Sequence, residues 1–140
     1  MNTTTLNAVS RPAADSSVLA NLAELGGRIL LAALFLISGL GKISSYAGTA
    51  AYMASAGVPA AALPLVIGIE VLGALAIIVG YKTRIVAFLL SGFTLITALM
   101  FHNNFGDQIQ MIMFLKNVSI AGGFLLLVGR GAGPISLDRR

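Results

Sequence analysis

The stretch "QMIMFLKNVSIAGGFLLLVG", residues 110–129, is the feature that most restricts the fold. It is nearly all apolar and long enough to cross a bilayer, for which a helix needs about 20 residues. Backbone N–H and C=O groups find no water in hydrocarbon, so such a run must satisfy them internally as a helix. Three more runs of this kind occupy residues 22–41, 61–80 and 84–101. Hydrophobic residues make up 57% of the chain and charged ones 10%, where a soluble domain carries about 25%. The expected fold is therefore all-α: an integral membrane four-helix bundle, with no room in 140 residues for another globular domain. Residues 1–17, polar and rich in Thr, Ser and Asn, read as a flexible tail. Residues 18–130 form the membrane domain and 131–140 a second tail.

Composition removes several classes of function. The net charge of +4 could suggest nucleic acid, but the basic residues flank the apolar runs instead of clustering on a soluble face. With no Cys there is no disulfide, thiol catalysis or thiolate-held iron–sulfur cluster, and one His cannot supply two axial haem ligands. No metal site is expected. Redox chemistry here needs a diffusible cofactor or a partner protein. "SGLGKIS" lacks the phosphate-loop spacing and closes an apolar helix, so it is no nucleotide site. Met111 and Met113 read as packing residues.

The connections carry the remaining signals. The link after the first run, residues 43–59, can hold a short interfacial helix over 51–56, with Tyr46 and Tyr52 at headgroup depth. Gly57 and Pro59 end it. "GYKTR" is a tight link and makes the second and third spans antiparallel neighbours.

Ionisable residues inside the runs are the candidate site. Helical neighbours lie three or four apart, which groups Arg28, Ala32, Phe35, Gly39 and Lys42 on one face. The same spacing groups Glu70 with Gly73, Ala74 and Ile77, and Ser91 with Thr94, Ala98 and His102. In the fourth run Lys116, Ser119, Ile120 and Gly123 align. Each charged group shares its face with small residues, which mark helix contacts in membranes, so each should point into the bundle. Glu70 lies about nine residues, roughly 13 Å, from the outer end of its span, and Lys116 about seven, roughly 10 Å. The expectation is a Glu70–Lys116 pair in a polar pocket near one end, with His102, Lys42, Asn117 and Asp107 close by. The plain alternatives are a register-setting ion pair, snorkelling of Arg28 and Lys42 to the two interfaces, and an interhelical amide bond for Asn117.

The ordered pieces "RILLAALFLISGLGK", "GVP", "IEVLGALAIIVGYKTRIVA", "FHNNF", "QMIMFLKNVSIAGG" and "GPISLD" resemble the DoxX family of small bacterial membrane proteins over residues 25–138. The resemblance implies a four-helix bundle in the bacterial inner membrane. The family is named for its similarity to a small subunit of an archaeal thiosulfate:quinone oxidoreductase. Its members are labelled quinol oxidase subunits, some linked to redox defence. Its polar signature falls on Arg28, Lys42, Glu70, His102, Lys116 and Asn117. The implied function is a redox-associated subunit binding a quinone or similar small carbonyl compound. Glu70, Lys116 and His102 would then handle protons and hydrogen bonds, while Lys42, Asn117 and Arg28 bind the ligand. Such a subunit would not act alone: an accessory subunit of a quinone-linked oxidoreductase works with a redox partner protein or as a homo-oligomer. The alternatives are an assembly or stress-protection subunit with a structural polar core, and a small-solute or proton pathway.

Lys and Arg counts set the orientation. Arg11, Arg28, Lys82, Arg84, Arg130, Arg139 and Arg140 belong to the end bearing both termini, while the other end has Lys42 alone in its two connections. The positive-inside rule places both termini in the cytoplasm. Alkaline phosphatase fused after Arg140 should be silent and one fused at Asn104 active; the reverse pattern overturns this orientation.

Overall fold

In a bilayer each helix end exposes backbone groups that must find partners, and the way this chain supplies them shapes its architecture. The computed structural model describes residues 13–138. The helices are α1 (Ala13–Ser44), α2 (Tyr46–Ser55), α3 (Leu63–Val79), α4 (Thr83–Phe101) and α5 (Gln108–Arg130), with a 3₁₀ turn at Ala60–Ala62 before α3. Among the described residues there is no strand. Four helical segments are long and apolar enough to cross a membrane: Ser16–Ser44, Ala60–Val79, Thr83–Phe101 and Gln108–Arg130. They match the four runs read from sequence.

Helix α1 is longer than expected. It starts at Ala13, inside the stretch read as tail, and continues to Ser44 with Lys42 in its last turn. A cation there favours the carbonyl end of the helix. Its 32 residues correspond to about 48 Å, against about 30 Å of hydrocarbon. Arg11, Arg139, Arg140 and the tail up to residue 12 lie outside the described residues. Helix α2 also starts earlier than the expected 51–56, taking in Tyr46, and ends at Ser55; Gly57, at φ 79°, follows.

The four long helices pack as two close pairs, α1 with α3 and α4 with α5, joined by a lighter α3–α4 contact and a slight α1–α5 contact. Gly39 brings the first pair together: a Cβ there would stand 2.7 Å from Val71 Cγ2. In the second pair the buried Ser91 hydroxyl donates to the Ala121 carbonyl at 3.2 Å. Ala32, Phe35, Ala74, Ile77, Ala87, Leu90 and Phe124 form the core between the pairs. The Phe35 and Phe124 rings meet edge to face, 5.3 Å between centroids.

The end bearing the termini is closed by the C-terminal segment, which sequence gives only as loop. Leu137 N–H donates to Val79 C=O at 3.0 Å and Asp138 N–H to Gly80 C=O at 2.8 Å, so the segment takes up carbonyls at the end of α3. The Asp138 carboxylate accepts the Lys82 and Thr83 amides at 2.6 and 2.8 Å and caps the start of α4. Lys82, at the N-cap, offers no capping side chain of its own. Arg28 is 1% exposed and donates from Nη2 to the Ile135 carbonyl at 2.6 Å. It does not snorkel to water; it anchors the tail.

Two outcomes follow from this clasp. Gly80 sits at φ 72°, and a Cβ on it would collide with the Arg28 guanidinium and Ser136. Gly80→Ala should lower detergent-solubilised stability by about 1–2 kcal/mol for the left-handed backbone alone, plus the clash. Burial pushes the Asp138 carboxyl up, but hydrogen bonds from Thr83 and Lys82 and the nearby Arg28 charge outweigh it and hold the group below the usual range. Because its folded pKa is depressed, its contribution is complete above the unfolded value, about 3.9, and is lost as pH falls through the folded value. The protection factors of the Lys82 and Thr83 amides, corrected for intrinsic exchange, should therefore fall in acid as pH drops through the depressed value of Asp138. Asp138→Asn should remove that pH step.

Candidate functional site

Glu70 is buried on α3, four residues from the buried Ala74, on the face expected from its spacing. The partner it meets is Lys42, not Lys116. Lys42 Nζ lies 3.0 and 2.9 Å from the two carboxylate oxygens. It also donates to Ser38 Oγ at 2.6 Å, and Ser38 Oγ in turn approaches Glu70 Oε1 at 3.4 Å. An ammonium has three N–H donors, and all three are used in this triangle. With side chains 24% and 8% exposed, the pair is largely withdrawn from solvent.

The expected pairing left out which face α5 turns inward and the direction in which Lys42 leans. Helical side chains lean toward their own N-terminus. α3 and α5 run away from the end bearing the α1–α2 and α4–α5 connections, so Glu70 and Lys116 both lean toward that end. Lys42 lies on a helix of opposite direction, near its last residue, and leans back into the bundle to meet Glu70. Ser38, four residues before Lys42, was absent from the expected site although helical spacing places it on the same face.

Two chambers adjoin the triangle. The larger, about 390 Å³, is lined by Ser38, Lys42, Glu70, Thr97, His102 and Asn117, with Thr49, Tyr52 and Met53 of α2 and apolar residues of α3 and α4. The second, about 320 Å³, lies toward α1 and α5 and is lined by Leu34, Phe35, Ser38, Glu70, Phe93, Thr94, Thr97, Met113, Lys116, Asn117 and Ile120. They share Ser38, Glu70, Phe93, Thr97 and Asn117. Phe35, edge-on to Phe124, stands where the second chamber meets the core. Over the first, Tyr52 stacks on Phe101 at 5.4 Å and joins α2 to α4.

The structure thus gathers Lys42, Glu70, His102, Asn117 and Lys116 around connected space, in different roles from those expected. His102 Nδ1 is 2.9 Å from Gln110 Oε1. That contact holds the ring against α5 at the edge of the larger chamber. Asn117 donates to the Met113 carbonyl of its own helix at 2.9 Å, not across helices. Asp107 caps α5, accepting from Ile109 and Gln110 amides at 2.8 and 3.2 Å, and lines neither chamber. Arg28 is held by the tail at the opposite end and lines neither chamber, so it has no place among ligand-binding residues there.

The α5 face is rotated from the expected one. Its buried residues are Ala121 and Phe124, in register with Asn117, whereas Lys116 and Ser119 are exposed at the bundle surface. Lys116 makes no ion pair or hydrogen bond among the described residues. No group of three or more metal-ligating side chains occurs among the described residues.

Comparison with known proteins follows the same residues. The DoxX family profile matches residues 23–103, which hold most of α1 and all of α2, α3 and α4, and therefore Lys42, Glu70 and His102. The inner membrane protein YqjF of Escherichia coli (strain K12) is 50% identical over 121 residues, covering 86% of this chain and 93% of that protein. The inner membrane protein YphA of the same organism is 45% identical over 120 residues, 81% and 86% of the two chains. No solved structure matches. A profile covering more than half the chain, and relatives this similar over nearly their whole length, establish that this four-helix membrane protein belongs to the DoxX family.

Proposed function

We propose that this chain is an inner-membrane subunit, both termini cytoplasmic, that binds the head group of a quinone or similar carbonyl compound beside the Lys42–Glu70 pair. One observation carries the reading: a buried ion pair opens onto chambers whose walls are otherwise mostly apolar. A cavity of this size with a few convergent polar groups is the usual form of a small-molecule site. Ionisable groups kept within a membrane span are functional candidates by default.

The free hydrogen-bonding groups define what such a head would find. Lys42 has no spare donor, because Ser38 and Glu70 take all three. Lys116 has its whole ammonium available to a ring oxygen. His102, held through Nδ1 by Gln110, lines the larger chamber and offers its other ring nitrogen to the head group. Glu70 can take a proton only as its bonds to Lys42 loosen, which couples protonation to rearrangement of the triangle. Electrons pass to or from a partner protein.

The closed triangle also favours a second reading, an assembly or stress-protection subunit in which the pair fixes the register of α1 against α3. The readings separate on the double variant. Lys42→Met or Glu70→Gln alone leaves an unpaired buried group and should cost up to about 3–5 kcal/mol. Combining them should be milder than the sum, as a double-mutant cycle in detergent will show. Native mass spectrometry of wild type with ubiquinone or menaquinone should show retained quinone, and the folded double variant should lose it. No retained quinone, with full complementation of a deletion strain by the double variant, would establish the scaffold reading instead.

A further inference from the structure

We infer that the site opens sideways to the bilayer between α1 and α5. A membrane-dissolved amphiphile enters there head first, past Lys116. This rests on the quinone reading and deepens it: the ligand must carry an apolar chain as well as an oxygen-bearing head.

The seam between α1 and α5 is closed over one part of its length and open over the rest. Toward the termini it is zipped: a Cβ on Gly123 would lie 3.1 Å from Leu31 Cδ2, and Phe35 meets Phe124 one turn on. Beyond these contacts the helices part. The chamber there has the buried Glu70 on its inner wall and Leu34, 51% exposed, with Lys116 on its outer wall. A cavity lined by both deep and lipid-facing residues is a passage from one to the other. A furrow of about 190 Å³, lined by Leu30, Leu31, Leu34 and Ile120, adjoins it and shares Leu34 and Ile120 with the chamber. An acyl or isoprenoid chain fits its purely apolar walls.

Charge supplies the polarity of the path. The charged groups lining the two chambers are Lys42, Glu70 and Lys116. The first two neutralise each other, so the mouth carries an uncompensated positive charge inside a span. An ammonium in hydrocarbon is costly, and an electron-rich oxygen on an incoming head relieves that cost. The larger groove on the other side of the bundle, about 720 Å³ between α3 and α4, is lined by residues such as Leu65, Leu72 and Leu89 and has no polar side chain to hold a head.

The test uses the full chain in nanodiscs with a ubiquinone analogue carrying a diazirine in its tail. Labelling that unmodified ubiquinone competes away should fall on residues 30–34 and 120. Competed labelling on Leu65, Leu72 or Leu89 overturns the lateral opening and leaves the quinone reading standing. No competed labelling anywhere overturns both. Leu30→Trp fills the furrow at a residue that lines neither chamber; it should weaken long-tailed ubiquinone by about tenfold or more while a tail-less quinone binds as before. Equal binding of the long-tailed quinone to this variant and wild type overturns the opening. Lys116→Met should weaken both quinones about tenfold, the loss of one charge-assisted hydrogen bond.

Discussion

A carboxylate in hydrocarbon must find a cation, and the position of that cation organises this bundle. Glu70 has Lys42 on a neighbouring helix, with Ser38 completing the triangle. The pair joins α1 to α3 next to Gly39, where the two helices are close enough that a side chain would collide. Contact at a small residue and attraction at a charge pair thus reinforce each other one turn apart. Helices α4 and α5 form their own pair through smaller contacts such as Ser91 with Ala121. The chambers lie along the boundary between the two pairs, where packing is lighter.

Helix periodicity made three of the four buried faces legible. Arg28, Ala32, Phe35 and Gly39 on α1, Glu70, Ala74 and Ile77 on α3, and Ser91, Thr94 and Ala98 on α4 are buried as the spacing implies. The α5 face was not legible, because Lys116 and Asn117 are adjacent and each has small residues in register. Hydropathy alone cannot choose between faces about 100° apart when both are apolar. The pairing of Glu70 was lost for another reason. Depth counted along an axis places Cα atoms, whereas a lysine head is several ångströms away in a direction set by the sense of the helix.

The tail was hidden because its partners are far away in sequence. Asp138 caps amides 56 and 55 residues earlier. The available hint was negative: "GYKTR" starts α4 with Lys82 in the capping position, which is a poor residue there. A missing local cap, together with an aspartate following a Gly- and Pro-containing segment, points to a cap supplied from a distance. Arg28, expected at an interface or a ligand, serves that same arrangement.

The clasp also imposes an order on biogenesis. Chains are made from the N-terminus onward, and Asp138 follows all four spans. The hairpin of α3 and α4 must therefore enter the membrane with its turn amides still open to water, and the residues that cap it are added only after α5 has been synthesised. Insertion and closure are separate events: the helices can reach the bilayer one after another, but this end of the bundle locks only once translation has passed the last of them. A chain cut just before Asp138 would keep all four spans yet lack the carboxylate that caps α4.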